Sequence, residues 1–342
     1  MSAIMTVLAI ISFGGLLLDH RLLDGMPIWA KPLKFTVSFV TYGLTWAWLL
    51  SLLRRTPRWG WWLGTVLAIA SVVEMSIIIA QVIRGRRSHF NASTLLDSSL
   101  YAVMGFTIAI LLITNLAASV LVLRERRADP ADTWAIRIGL VISAIGLGVA
   151  ILMLPPTATQ LADAAPTVLG AHGVGVPDGG PGLAVLGWST TGGDLRVPHF
   201  VGMHALQIMP LLALALSWIR DQAVRLRLVL TAGAGYAGLM ALVTWQALRG
   251  QPLTRPDALT LGVAGALWAG VAAAVLLSLR SPRVSPRSRR TAATGPATPT
   301  VPAATTNPPA AGKPATTANT GLSGVRVERA TTAQCGPTSP EA

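Results

Sequence analysis

The sequence predicts an all-α membrane protein: eight transmembrane helices as two parallel four-helix pseudo-repeats, followed by a disordered C-terminal tail. Three observations carry this reading. The chain is 52% hydrophobic and only 12% charged, where a soluble domain carries about 25% charged residues, and its mean hydropathy is +0.57. Eight runs approach the roughly 20 apolar residues that a span requires. Several motifs recur at a near-constant offset of 165 or 166 positions.

The runs lie at about 3–18, 34–53, 60–83, 98–123, 134–154, 199–219, 226–248 and 258–279. Residues 1–18 lack a basic n-region and a small-residue cleavage site, so they read as a first span and not a cleaved signal. Tryptophans mark many ends, as interfacial aromatics do: Trp29, the Trp59, Trp61, Trp62 cluster, Trp134, Trp218 and Trp245. The first half is expected over 1–133 and the second over 134–280. The second half contains a Gly, Pro and Ala-rich connection at 155–198. Residues 281–342, mostly Ala, Thr and Pro, cannot bury a core and are expected to be disordered.

Net charge is +13. The basic residues sit in short clusters between apolar runs, which is a membrane pattern and not a nucleic-acid one. The single cysteine, Cys335, excludes a disulfide framework or a cysteine metal cluster. With eight spans both termini share a side. Loops on that side carry nine basic residues, and so do the opposite loops. The cluster Arg280, Arg283, Arg287, Arg289 and Arg290 breaks the tie. It places both termini in the cytoplasm and the 155–198 connection outside the cell membrane.

The repeat is read from Gln81-Val-Ile-Arg84-Gly85 against Gln246-Ala-Leu-Arg249-Gly250. It is read also from Ser51 to Arg54 against Ser217 to Arg220, from Pro32 against Pro198, and from Asp97 against Asp257. Four spans per unit keep the copies parallel, an arrangement found in transporters with the site between the halves. Chance matching among low-complexity helices is the competing explanation.

Glu74 is the sharpest chemical signal. It lies ten residues before Arg84, hence roughly 15 Å deep at about 1.5 Å per residue. An ionisable group there is costly and marks a functional site by default. Ser71, Glu74 and Gln81 share one helical face. A protonated, purely structural Glu74 is the plainer alternative. All five histidines (His20, His89, His172, His199, His204) fall at or near the outer face, with Gln207 on the face of His204. Glu74, His89 and His204 are candidates to hold a cation, and His89 and His204 to ligate a haem. The spacing is not diagnostic for either, and structural or interfacial histidines fit equally. His172, in a Gly/Pro loop, reads as incidental, and Gly192-Gly193-Asp194 as a turn signal only.

Lys31 and Lys34 open the second run, where a helix N-terminus already carries partial positive charge. They read as an anion site, unless Asp19 or Asp24 pairs with them or they snorkel to headgroups. With Arg84, Arg196 and Arg249 they would form an anion-attracting vestibule above a buried polar site of Glu74, Gln81, His204 and Gln207. The expected partners are the lipid bilayer and an anionic small molecule or headgroup. Phosphate-loop, dinucleotide, H-E-x-x-H and G-x-S-x-G signatures are missing. The reading therefore favours a transport or binding protein over an enzyme. A haem or metal redox protein and a lipid-headgroup enzyme are the alternatives.

Three segments resemble a group of uncharacterised bacterial polytopic membrane proteins: Trp29-Ala-Lys31-Pro32-Leu-Lys34-Phe35, Arg84-Gly85-Arg-Arg-Ser88-His89-Phe90-Asn91 and His199-Phe200-Val-Gly-Met-His204-Ala-Leu-Gln207. The resemblance implies membrane topology and no particular activity. Intramembrane zinc hydrolases pair histidines four apart on one helix. His199 and His204 are five apart, which argues against that family.

Overall fold

The computed structural model describes residues 1–280; the segment 281–342, expected to be disordered, lies outside the described residues. The helices are α1 (Ser2–Leu18), α2 (Ala30–Ser51), α3 (Pro57–Ile83), α4 (Leu95–Leu123), α5 (Pro130–Val149), α6 (Ala158–Ala162), α7 (Arg196–Ala215), α8 (Gln222–Leu248) and α9 (Ala258–Arg280). Six segments are long and apolar enough to cross a bilayer: α3, α4, Pro130–Ala162, α7, α8 and α9. The remaining two long helices differ for separate reasons. At 17 residues, α1 spans about 26 Å, short of the roughly 30 Å hydrocarbon core. The 22-residue α2 is long enough, but it carries Lys31 and Lys34 in its first turns.

Helix ends follow local chemistry. Thr94 caps α4 by accepting from the Asp97 amide at 3.1 Å, and its hydroxyl donates to Asp97 Oδ2 at 2.8 Å. Asp129 and Asp221 cap α5 and α8, and Pro57 and Pro130 occupy first-turn positions where no N–H is needed. Such polar or proline-bearing first turns lie outside an apolar run, so α2, α3, α4, α5 and α8 begin before the runs that announce them. At its other end α5 stops at Val149 and finishes in a 3-10 turn, Ala150–Met153. The prolines that follow, Pro155 and Pro156, disfavour further α-helix.

The ends of α3 and α8 are alike. Gly85 and Gly250 adopt φ of 68° and 70°. The Arg86 amide reaches back to Gln81 O at 2.9 Å, and the Gln251 amide to Gln246 O at 3.2 Å. Both are glycine-terminated motifs in which a left-handed residue lets the chain turn back onto the last carbonyls.

The helices pack in sequence order within two groups. In the first, α1 lies on α2, α2 on α3 and α3 on α4; in the second, α5 and α7 form the tightest pair, and α8 joins them and carries α9. Gly146 and Gly202 allow the α5–α7 approach, since a Cβ on either would enter the other's backbone. The groups meet where α4 touches α5 and α2 touches α7. Their shared core holds Leu49, Leu67 and Ala118 from the first group with Leu140 and Leu206 from the second.

The outside is oily and parts of the inside are polar. Ile10, Phe106, Leu211, Leu214 and Leu277 are more than 60% exposed, while Ser71, Glu74, Gln81 and Asp97 are fully buried. In α9 the only buried residues are Thr260 and Ser278. This distribution suits a hydrocarbon solvent.

One end of the bundle, the cap end, gathers the loops 19–29, 84–94, 150–195 and 249–257. The opposite, arginine end holds 52–56, 124–129 and 216–221. The 155–198 connection is folded, not bare. Thr157 and Gln160 close a capping box on α6. Strand β1 (Leu22–Leu23) pairs with β2 (Met26–Pro27) in the 19–29 loop, and β3 (Gly173–Val174) with β4 (Gly193–Asp194) in the connection. Asn91 bridges to Val168, tying the connection to the α3–α4 loop.

Candidate functional site

Glu74 sits on α3 with both carboxylate oxygens buried and no hydrogen-bond partner. Its nearest charged neighbours come from the cap end. His89 Nε2 lies 3.5 Å from Glu74 Oε1, just beyond hydrogen-bond range. The other ring nitrogen, Nδ1, is 3.0 Å from Lys31 Nζ and 3.1 Å from Ser88 Oγ. Lys31 Nζ and Ser88 Oγ can both donate to Nδ1, which suits a neutral ring with its proton on Nε2, toward Glu74. Phe35 packs its ring 5.8 Å from His89 and 5.7 Å from Lys31 Nζ. Burial, then the Lys31 charge, then His172, hold His89 well below the usual imidazole range.

A lid of the folded connection covers this group. Phe90 stands at φ 58°, a strained position for a bulky residue. Its ring meets His172 edge-on at 4.9 Å and Tyr101 at 5.8 Å. His172 Nδ1 is 2.7 Å from Asp178 Oδ2, and Asp178 also accepts from the His172 and Gly173 amides. Burial lowers His172 below its ordinary value. Burial alone would raise Asp178, but the His172 contact and the two amides hold it well below the carboxylate range. His172 is therefore no incidental loop residue. Nor is Gly192-Gly193-Asp194 merely a turn: it supplies β4, and a Cβ at Gly193 would collide with Ala247 O. Buried Asp194 there receives both Arg196 and the Ser189 amide.

Of the five cations expected to attract an anion, three are bound to aspartates. Arg84 pairs with Asp97 at 2.6 Å, beside Gln81, which donates to the same oxygen at 3.0 Å. Arg196 pairs with Asp194 at 2.6 Å and Arg249 with Asp257 at 2.6 Å. Lys34 donates to Leu186 O at 2.7 Å. The alternative in which Asp19 or Asp24 neutralises the lysines is not what forms: Asp19 takes Arg21 and Trp29, and Asp24 takes Arg87. Lys31 and Lys34 thus stay near Glu74 and the cap carbonyls, without a carboxylate hydrogen bond.

His204 and Gln207 form a second, separate group. His204 Nδ1 is 3.3 Å from Gln207 Oε1, its ring lies 4.3 Å from Phe200, and its Nε2 is buried and unpartnered. Its neighbour His199 contacts Gly146 O at 2.8 Å. The candidate cation site of Glu74, His89 and His204, the alternative to structural histidines, does not form. Among the described residues no three His, Cys, Asp or Glu side chains converge to hold a metal ion. His89 turns one nitrogen to Lys31 and the other toward Glu74, whereas the buried Nε2 of His204 has no partner.

Sequence reasoning also missed Asn115. It is buried on α4 and accepts from Tyr42 Oη at 3.0 Å and Trp46 Nε1 at 3.1 Å. A lone Asn amid apolar residues was a usable signal, since a buried amide needs partners. Searched against known protein families, curated proteins and solved structures, the chain matches none of them.

Taken together, a carboxyl on α3, an imidazole in the 84–94 loop and an amine at the start of α2 lie in file. Neighbouring groups of this kind can pass a proton or change charge state as a unit.

Proposed function

We propose that this chain is a multi-pass cell-membrane protein whose Glu74–His89–Lys31 file exchanges a proton as an anionic small molecule or headgroup binds beneath the cap. The observation that carries the reading is Glu74, fully buried without a hydrogen bond yet 3.5 Å from an imidazole held by Lys31. A carboxylate kept in such a place is costly unless its charge is used. Lys31, beside His89, and Lys34, on the Leu186 carbonyl, are free of aspartate and would supply the attraction for an anion. A ligand that drew Lys31 away from His89 would leave Nδ1 open to a proton, coupling binding to protonation.

The proposed topology is eight spans in two parallel halves, with both termini in the cytoplasm and the cap outside. The repeat reading draws support from matched roles: Gln81 and Gln246 anchor equivalent turns, and Arg84 and Arg249 pair with Asp97 and Asp257 at the starts of α4 and α9. Pro32 and Pro198 lie on α2 and α7, the helices through which the halves also touch.

The test is flux in proteoliposomes with an entrapped pH dye, under imposed gradients of inorganic phosphate or acetate. The reading expects proton movement that accompanies the anion and is lost in Glu74→Gln. Unchanged coupled flux in that variant overturns it.

A further inference from the structure

At the arginine end, away from the cap, two adjoining clefts of about 440 and 510 Å³ open between the halves. They are bordered by the α2–α3 turn, the α4–α5 turn and the start of α5. Arg54, Arg55, Arg124 and Arg126 ring the second cleft with a single acid, Glu125. Among the described residues none of these arginines has a carboxylate oxygen within 4 Å. The acids of the first cleft are differently placed: Asp129 and Asp132 are engaged by Arg225, and Asp132 also by Arg127. Arg137, on α5, reaches into the same cleft. It is held by a 3.1 Å bond to Leu123 O and by the Trp134 ring at 5.7 Å, and its buried Nε has no partner.

Four like charges around one opening repel each other, and a buried guanidinium N–H without an acceptor costs free energy. A lone arginine among headgroups needs no cleft, but these converge on one, and two of them, Arg54 and Arg126, also line the adjoining cleft that the fixed guanidinium of Arg137 borders. The arrangement matches what a phosphate group asks for: several guanidinium forks around one multi-oxygen anion. We infer that these two adjoining clefts together bind a phosphate group, carried either by an anionic lipid headgroup or by a soluble phosphate, with Arg54 and Arg126, shared by both, and Arg124 of the second as its outer ligands, and Arg137 of the first as the inner one. The site stands apart from Glu74 and does not depend on the transport reading.

The experiment uses the full-length protein in a neutral detergent and measures binding of three probes: inorganic phosphate, dioctanoyl phosphatidic acid and, as a zwitterionic control, dioctanoyl phosphatidylcholine. Saturable binding of phosphatidic acid with no response to inorganic phosphate assigns a lipid headgroup. Saturable binding of inorganic phosphate assigns a soluble ligand. In either case the double variant Arg54→Gln, Arg126→Gln weakens binding at least tenfold, by about one charge-assisted contact. Arg58→Gln, at the same end but outside the clefts, leaves it unchanged. Both altered arginines are exposed, so folding is preserved, and Arg126→Lys, which keeps charge but loses the fork, falls between. No saturable binding by either phosphate probe, equal binding of phosphatidylcholine, or equal weakening by Arg58→Gln overturns the inference.

Discussion

The two ends of the bundle handle positive charge in opposite ways. At the cap end Arg21, Arg84, Arg87, Arg196 and Arg249 each hold an aspartate, with Arg86 and Arg255 the exceptions. At the arginine end Arg127 and Arg225 hold Asp129 and Asp132, but Arg54, Arg55, Arg124 and Arg126 hold none among the described residues. Similar numbers of cations therefore do different work. Pairing ties the cap loops together, and Lys31 and Lys34 lie among the cap-end cations that hold no aspartate. Lack of pairing leaves the far end open to anions from solvent or lipid.

The largest expected effect is at the cap. Arg84→Ala strips a buried aspartate of its charge partner, and removing one member of such a pair costs about 3 kcal/mol. Unfolding in mixed detergent micelles should show it, and a change below about 0.5 kcal/mol would mean that the pair is ornamental. Next comes Gly85→Ala. A Cβ there meets only Arg21 Nη1, at 3.8 Å, so the cost is backbone strain at positive φ, about 1 kcal/mol; the same unfolding assay checks it.

A smaller effect, local to the cap, is its acid sensitivity. His172 in the fold sits below its ordinary value because it is buried. As pH falls through about 6.5, the unfolded cap takes up a proton that the folded cap refuses, so stability drops. The depressed Asp178 adds to the loss at lower pH still, in the same direction. Protection factors over 165–195, corrected for the intrinsic pH dependence of amide exchange, should fall on acidification, and His172→Gln should flatten that response. The smallest effect belongs to the other end. Arg124→Ala should leave stability within about 0.5 kcal/mol of the parent, since an exposed cation without a partner contributes little.

The membrane character was legible because it is written in composition and run length, which need no tertiary context. Glu74 was legible for the same reason, a charge standing alone in apolar surroundings. The pairing of the basic residues was not. Arg87 finds Asp24 and Lys31 finds His89 across separations of 63 and 58 positions, and no local spacing encodes such contacts. The cap was missed because its Gly and Pro content reads as loop. Its order comes instead from long-range pairs: Asn91 with Val168, and Asp194 at the mouth of α7. His204 shared the outer face with His89 along the sequence. In the fold, His204 turns to Gln207 and Phe200 while His89 turns to Lys31 and Glu74.

The proton-exchange claim is tested most directly by infrared difference spectroscopy of the protein in nanodiscs, titrated from about pH 5 to about pH 9 across the ordinary imidazole range. A carboxyl band should change with pH, vanish in Glu74→Gln and shift in Lys31→Met. A Glu74 band that stays constant over the whole range, or ignores Lys31→Met, would contradict the proton-exchange claim.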